Sequence, residues 1–162
     1  MIAFCRLLLF PVRTLVIVLV TPNKKKKFMV LPIYTYGQPV LRKVAADIPL
    51  DYPDLQELIR NMFETNTASD GVGLAAPQIG KSIRVVVIDL DVLSDTFPEY
   101  KNFRHAFING HILELDDSET DTMEEGCLSL PGIHDSVTRA RRIHVKYLDE
   151  NLTEHDEWVD GY

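Results

Sequence analysis

The clearest hydrophobic pattern of the chain lies in residues 55–63. Apolar side chains recur there at positions i, i+3, i+4, i+7 and i+8, which places them in one stripe along a helix. We predict that Asp51 or Asp54 caps the start of this helix. Its end is expected before Asp70 and Gly71, where glycine allows the backbone to turn. The stripe consists of Leu55, Leu58, Ile59, Met62 and Phe63.

The second half of the chain carries the patterns of β-strands. Residues 84–89 form a continuous β-branched run, which predicts a strand buried on both faces. Residues 149–151 are typical of a hairpin turn, and the acidic residues 116–125 indicate a solvated connection. Pro39 favours a short helical turn upstream of the helix. One helix followed by several antiparallel strands predicts an α+β fold in one domain, residues 29–162. Apolar and polar residues alternate in 107–115, 143–148 and 154–159.

Composition narrows the class of protein. The 162 residues include 46% apolar residues, which is too many for a disordered chain. The 17 basic and 24 acidic residues give a net charge of −7, which argues against direct nucleic-acid binding through a basic face. The charge is uneven, because residues 1–28 hold six basic residues and no acid. Removing these six leaves 11 basic residues against 24 acids, a net charge of −13 for residues 29–162.

Residues 1–28 therefore differ from the rest of the chain. Their apolar run, residues 7–20, is 14 residues long, whereas a membrane span needs about 20. The lysines follow this run, and a secretory signal would place its positive charges before it. We interpret residues 1–28 as a spurious upstream extension with Met29 as the natural start, the alternative being a weak apolar leader. We expect no membrane association.

Two short segments carry candidate chemistry. Residues 71–78 are rich in glycine and alanine and end at Gln78, whose amide both donates and accepts hydrogen bonds. This segment is compatible with a structural turn or a binding loop, and it lacks the Lys-Ser/Thr pair of a phosphate-binding loop. The second segment, residues 124–132, contains Cys127, for which a buried inert thiol is favoured over a metal ligand or a nucleophile from residue type alone. Its acidic neighbours disfavour a free thiolate, so a metal ligand is favoured over a nucleophile.

Together the two segments resemble the peptide deformylases. Residues 71–78 read GVGLAAPQ and residues 125–129 read EGCLS, as in that family. The resemblance covers residues 29–162. It implies an α+β fold in which antiparallel sheets pack with an N-terminal helix around a central C-terminal helix. It also implies a cytoplasmic, bacterial-type enzyme that removes the N-formyl group from the initiator methionine of nascent proteins, with N-formylmethionyl peptides as its partners.

The resemblance also implies roles for particular residues. Cys127 matches a thiolate ligand of a divalent metal, Fe²⁺ in the family, with Zn²⁺, Ni²⁺ or Co²⁺ as replacements. The side-chain amide of Gln78 and the backbone N–H of Leu128 match the donors to the formyl oxygen. Gly73 matches a position that hydrogen-bonds the substrate, and Val72 one that lines the methionine pocket.

One family motif is missing from the sequence. An HExxH helix supplies two further histidine ligands and the general base, but none of the five histidines here is followed by glutamate or by a second histidine four positions later. We therefore expect a C-terminally truncated domain without the central helix, which by itself binds no stoichiometric metal and is inactive. Ribosome contact, made in the family through the C-terminal region, is not expected here. The alternatives are a catalytically dead, deformylase-like peptide-binding module and a cysteine hydrolase that pairs Cys127 with His134 or His155.

Overall fold

A computed structural model of the chain describes residues 28–161. The segment interpreted as an extension or leader, residues 1–28, lies outside the described residues except for Phe28. Within the described range, one α-helix, α1, spans Leu55–Ala68 and is followed by five strands. These strands are β1 (Gly73–Ala75), β2 (Val85–Asp89), β3 (Arg104–Cys127), β4 (Leu130–Leu148) and β5 (Glu154–Asp160).

The strands form an antiparallel sheet in which each pairs with the next one along the chain. Short connections suffice for this order, because antiparallel neighbours can be joined by tight turns. The predicted hairpin turn at 149–151 joins β4 to β5, and Asp149 stabilises it by accepting the N–H groups of Asn151 and Thr153. The predicted α+β class, with an antiparallel sheet and an N-terminal helix, is confirmed.

Helix α1 follows the hydrophobic stripe of the sequence. Leu58, Ile59 and Met62 are buried, and the helix ends before Asp70 as predicted. The predicted cap at Asp54 is wrong, because this residue occupies the N-cap position without a capping hydrogen bond. Its backbone is left-handed (φ 55°), whereas a capping side chain needs an extended backbone to reach the first N–H groups. The predicted helical turn at Pro39 is present as a 3₁₀ turn, Pro39–Arg42.

The core lies between the apolar face of α1 and the first three strands. Met62 has no exposed surface and packs in the same cluster as Leu74, Val85, Val87 and Ile108. Burying an aliphatic side chain of this size stabilises the fold by about 1.5–3 kcal/mol. The core therefore fixes the distance between the C-terminal end of α1 and strand β1, where the first candidate segment lies.

Two sequence predictions about the sheet are wrong in detail. Residues 116–125 are not a connection but part of β3, paired with β4. Their acidic side chains remain mostly exposed because both faces of this ribbon contact solvent. The predicted exposure to solvent is therefore correct, and the predicted loop conformation is wrong. The β-branched run is strand β2 as predicted, but Val86 and Ile88 are half-buried, while Val85 and Val87 are fully buried.

Candidate active site

Gln78 lies in a 3₁₀ turn, Ala76–Ile79, that directly follows β1. Its side-chain oxygen accepts the backbone N–H of Ala75 at 2.8 Å. This bond fixes the orientation of the amide, so the NH₂ group points away from β1. An amide in this orientation is a fixed hydrogen-bond donor, which is the chemistry needed to stabilise charge that develops on a carbonyl oxygen.

The second candidate segment closes the hairpin between β3 and β4. Cys127 is the last residue of β3, and Leu128 and Ser129 form the turn before β4 begins. Cys127 is exposed, so the prediction of a buried thiol is wrong: the residue ends a strand at a hairpin turn that contacts solvent. Leu128 is half-buried against the core, and Ser129 is buried. A two-residue turn leaves little freedom in the direction of its N–H groups, so the backbone of Leu128 is held by the hairpin on both sides.

The fold brings the two segments together. The side-chain nitrogen of Gln78 lies 3.3 Å from the Ser129 hydroxyl oxygen and 3.9 Å from the Cys127 sulfur. Gln78, Cys127 and Leu128, which the sequence predicts to act together, are therefore neighbours in the structure.

Residues 34–36 hold both segments from one side. The N–H of Tyr34 donates to the backbone carbonyl of Gln78 at 2.7 Å, and the N–H of Tyr36 donates to that of Ser129 at 2.8 Å. One short segment therefore contacts both turns through its backbone N–H groups. This contact is not predictable from the sequence, because it depends on backbone groups that every residue type carries.

Val72 and Gly73 lead into β1 and are bound to β2. Gly73 begins β1 opposite Ile88, and a Cβ on Gly73 would lie 3.3 Å from the carbonyl oxygen of Val87. The carbonyl oxygen of Val72 accepts the N–H of Asp89 at 2.9 Å, and its side chain is half-buried. This segment is thus anchored to β2 along one edge.

The electrostatics near Cys127 are set by the hairpin. Arg139 binds both carboxylate oxygens of Glu125, at 2.5 and 2.7 Å, and its guanidinium holds the pKa of Glu125 below the ordinary range. The imidazole of His134 lies beside Gly126, since a Cβ built on Gly126 would be 3.1 Å from the ring. The Nδ1 atom of His134 is 3.6 Å from the carboxylate of Glu124. The acidic neighbours of Cys127 therefore have cationic or imidazole partners of their own.

The structure does not assemble a cysteine–histidine pair. Within residues 28–161, the hydrogen-bond partner of the Cys127 sulfur is Gln78. His134 faces Glu124, and His155 lies in the β4–β5 hairpin with its Nε2 3.3 Å from Asp149. A general base must lie within hydrogen-bond reach of its nucleophile, which neither imidazole does.

The same residues do not fit a resident metal ion. A metal held for hydrolysis needs three protein ligands and an open position. Within residues 28–161, no three His, Cys, Asp or Glu side chains come close enough together to hold one. Cys127 is thus a single thiol beside a hydrogen-bond donor.

Comparison with known proteins identifies the family. A family model described as polypeptide deformylase matches residues 30–162. The chain belongs to the polypeptide deformylase family. A peptide deformylase of Flavobacterium psychrophilum is 42% identical over 140 residues, covering 82% of this chain and 72% of the relative. That of Christiangramia forsetii is 44% identical over 140 residues, covering 82% and 71%.

Solved structures agree with this assignment. The crystal structure of peptide deformylase from Thermotoga maritima superposes with a TM-score of 0.71 at 40% identity, covering 83% of this chain and 84% of that chain. An actinonin-bound class I type b peptide deformylase from Acinetobacter baumannii gives a TM-score of 0.69 at 31% identity, covering 82% and 84%. The relatives of this deformylase-family chain are enzymes. Among its described helices, none combines the length and apolar character needed to cross a membrane.

Proposed function

We propose that this chain binds the N-formylmethionyl ends of nascent proteins at the surface between residues 71–78 and the turn that contains Leu128. The observation that carries the proposal is the fixed amide of Gln78, whose oxygen is bound by Ala75 and whose nitrogen faces the Cys127 turn. Nascent proteins are substrates of the peptide deformylase family, and the cytoplasm is the compartment that this function requires.

The roles of the residues follow from the chemistry of the formyl group. Hydrolysis of the formyl amide requires water to attack the formyl carbon, and negative charge then develops on the formyl oxygen. The amide of Gln78 and the N–H of Leu128 are the two donors we assign to that oxygen. In active hydrolases such a donor stabilises the transition state by about 3 kcal/mol, and in this chain the same donors bind the formyl oxygen of the peptide. Gly73 contributes backbone hydrogen bonds to the peptide, and Val72 contributes apolar surface for the methionine side chain.

Among residues 28–161, Cys127 is the residue that we assign to the metal of the family. The metal of the family, Fe²⁺ or in its place Zn²⁺, Ni²⁺ or Co²⁺, would supply the activation of water that this hydrolysis needs. Cys127 is the residue we assign as a thiolate ligand, but one thiolate does not hold such an ion by itself. We therefore assign to the 162-residue chain the binding of the formyl peptide without its hydrolysis.

The test combines a binding and a composition measurement on the full chain. Calorimetric titration with formyl-Met-Ala-Ser should give saturable binding, and the same peptide with a free amino terminus should bind more weakly. Elemental analysis should find well under one iron, zinc, nickel or cobalt per chain, and formate should not accumulate. Absence of binding would overturn the peptide site, whereas one tightly bound metal per chain with formate release would overturn the lack of hydrolysis.

A matched pair of variants tests the assigned donor. Gln78→Met removes the amide and should abolish the preference for the formylated peptide. Gln56→Met removes an exposed amide of α1, which donates to the backbone of Glu150, and should leave the preference unchanged. Equal binding of both peptides by the native chain would remove Gln78 from the role of donor.

A further inference from the structure

Asn66 is a fully buried polar residue in α1, near the end of the helix that faces the candidate site. Its side-chain nitrogen donates to the carbonyl oxygen of Gly71 at 2.7 Å. Its backbone carbonyl accepts the N–H of Gly71 at 3.0 Å and that of Ser69 at 3.1 Å. Asn66 therefore holds both backbone groups of Gly71.

The side-chain oxygen of Asn66 has no hydrogen-bond partner among the described residues, although it is buried. It lies over Gly71, since a Cβ built there would be 2.5 Å from this oxygen and 2.8 Å from a methyl carbon of Leu128. Asn66 and Leu128 thus pack against the Cα of Gly71, and this packing is possible because glycine has no side chain. A buried acceptor without a partner costs free energy, and the hydrogen bonds of Asn66 to Gly71 offset part of this cost.

We propose that Asn66 is the positioning residue of the peptide site, an inference that rests on the proposed function. Asn66 holds the backbone of Gly71. The position of Gly71 in turn sets the direction in which Val72 and Gly73 enter β1 and run along β2. Leu128 packs against the same side of Gly71, so the position of Gly71 also relates this segment to the turn that carries the second donor. Asn66 does not touch the peptide, and its effect passes through the backbone of its neighbours.

The test compares two asparagines of α1. Asn66→Leu removes the bond to Gly71 and keeps the number and branching of the side-chain heavy atoms. Asn61→Leu is the matched control, because the Asn61 side chain accepts the N–H of Met29 and not a group of Gly71. Calorimetry with formyl-Met-Ala-Ser should show binding about tenfold weaker for Asn66→Leu, the factor that corresponds to one lost hydrogen bond, and unchanged for Asn61→Leu.

Amide exchange measured by NMR gives a readout that needs no peptide. The N–H of Asp89, which donates to Val72, should exchange about tenfold faster in Asn66→Leu, whereas amides at the centre of α1 should keep their native rates. Native exchange at Asp89 together with native binding in a folded Asn66→Leu variant would overturn the proposal. If the native chain binds no formyl peptide, the proposed function fails, and the exchange of Asp89 still decides whether Asn66 positions the segment.

A conservative variant separates positioning from packing. In Asn66→Asp, the protonated carboxyl can donate to the Gly71 carbonyl, and the ionised form repels it. Peptide binding by this variant should therefore approach the native value in mild acid and weaken as the pH rises, relative to the native chain at the same pH. A constant ratio of the two affinities across the pH range would contradict a role for the hydrogen bond.

Discussion

The side-chain nitrogen of Gln78 lies 3.9 Å from the sulfur of Cys127, although the two residues are 49 positions apart in the chain. The same nitrogen is 3.3 Å from the hydroxyl oxygen of the buried residue Ser129. One amide therefore connects the turn that follows β1 to the turn that ends β3. A change at Gln78 should consequently affect both turns.

Loss of the Gln78 amide should destabilise the fold. Gln78→Met removes the partner of the Ala75 N–H and of the Ser129 hydroxyl, so we expect the free energy of unfolding to fall by about 1–3 kcal/mol. Urea denaturation measures this change. Gln56→Met, at an exposed position of α1, should stay within about 0.5 kcal/mol of the native chain. Equal losses in the two variants would show that Gln78 does not connect the turns.

A side chain at Gly71 should be poorly tolerated. The Cβ of Gly71→Ala would lie 2.5 Å from Asn66 Oδ1 and 2.8 Å from Leu128 Cδ1, so the neighbours must move and we expect a loss of about 1–3 kcal/mol. Gly110→Ala is the control, because a Cβ there meets its nearest atoms at 3.9 Å. This second variant should be neutral or stabilised by about 0.4–1 kcal/mol in urea denaturation. A native-like Gly71→Ala would refute the tight packing.

The sequence predicts the elements whose pattern reflects burial. Helix α1 is predictable because its apolar spacing is also its packing face, and the turn at Asp149 because its polar residues bind their own backbone. The acidic half of β3 is not predictable in this way, since both faces of the ribbon contact solvent. Its pairing depends on residues of β4 such as Arg139, which lies opposite Asp121 and binds Glu125.

The candidate site shows the same division. The motifs predict Gln78 and Cys127, and the two residues lie together. Asn66 is not predictable, because a single polar residue on a helix gives no sign that it will be buried against a loop. Its role depends on where Gly71 and Leu128 lie in space, which no spacing along the chain records.

The Glu125–Arg139 pair should make part of the stability depend on pH. Arg139 lowers the pKa of Glu125 in the folded chain, so the pair stabilises the fold above the ordinary carboxyl pKa of 4.5. This contribution is lost as the pH falls through the lower, folded value. Glu125→Gln should therefore cost more at neutral pH than in acid, by about 1 kcal/mol or less, because the arginine is largely exposed.

A double variant provides the control for this pair. In an Arg139→Met background, the effect of Glu125→Gln on the free energy of unfolding should no longer change with pH. The measurement is urea denaturation of the four chains at neutral pH and in acid. The pair would have no role in acid sensitivity if the effect of Glu125→Gln varied with pH equally in both backgrounds.

Tyr147 should titrate later than an ordinary tyrosine. Burial and a 2.9 Å hydrogen bond from its hydroxyl to Glu157 raise its pKa from 10.0 to about 12. Because the folded chain holds this proton more tightly than the unfolded chain, the resulting stability is fully present below pH 10 and is lost as the pH rises through about 12. In a pH titration, the tyrosinate absorbance should rise in a late component near pH 12. This component should be absent from Tyr147→Phe. It should shift to lower pH in Glu157→Gln, where the neutral amide no longer disfavours the phenolate. An unchanged late component in Tyr147→Phe would assign it to another tyrosine, and an unshifted one in Glu157→Gln would leave burial as its cause.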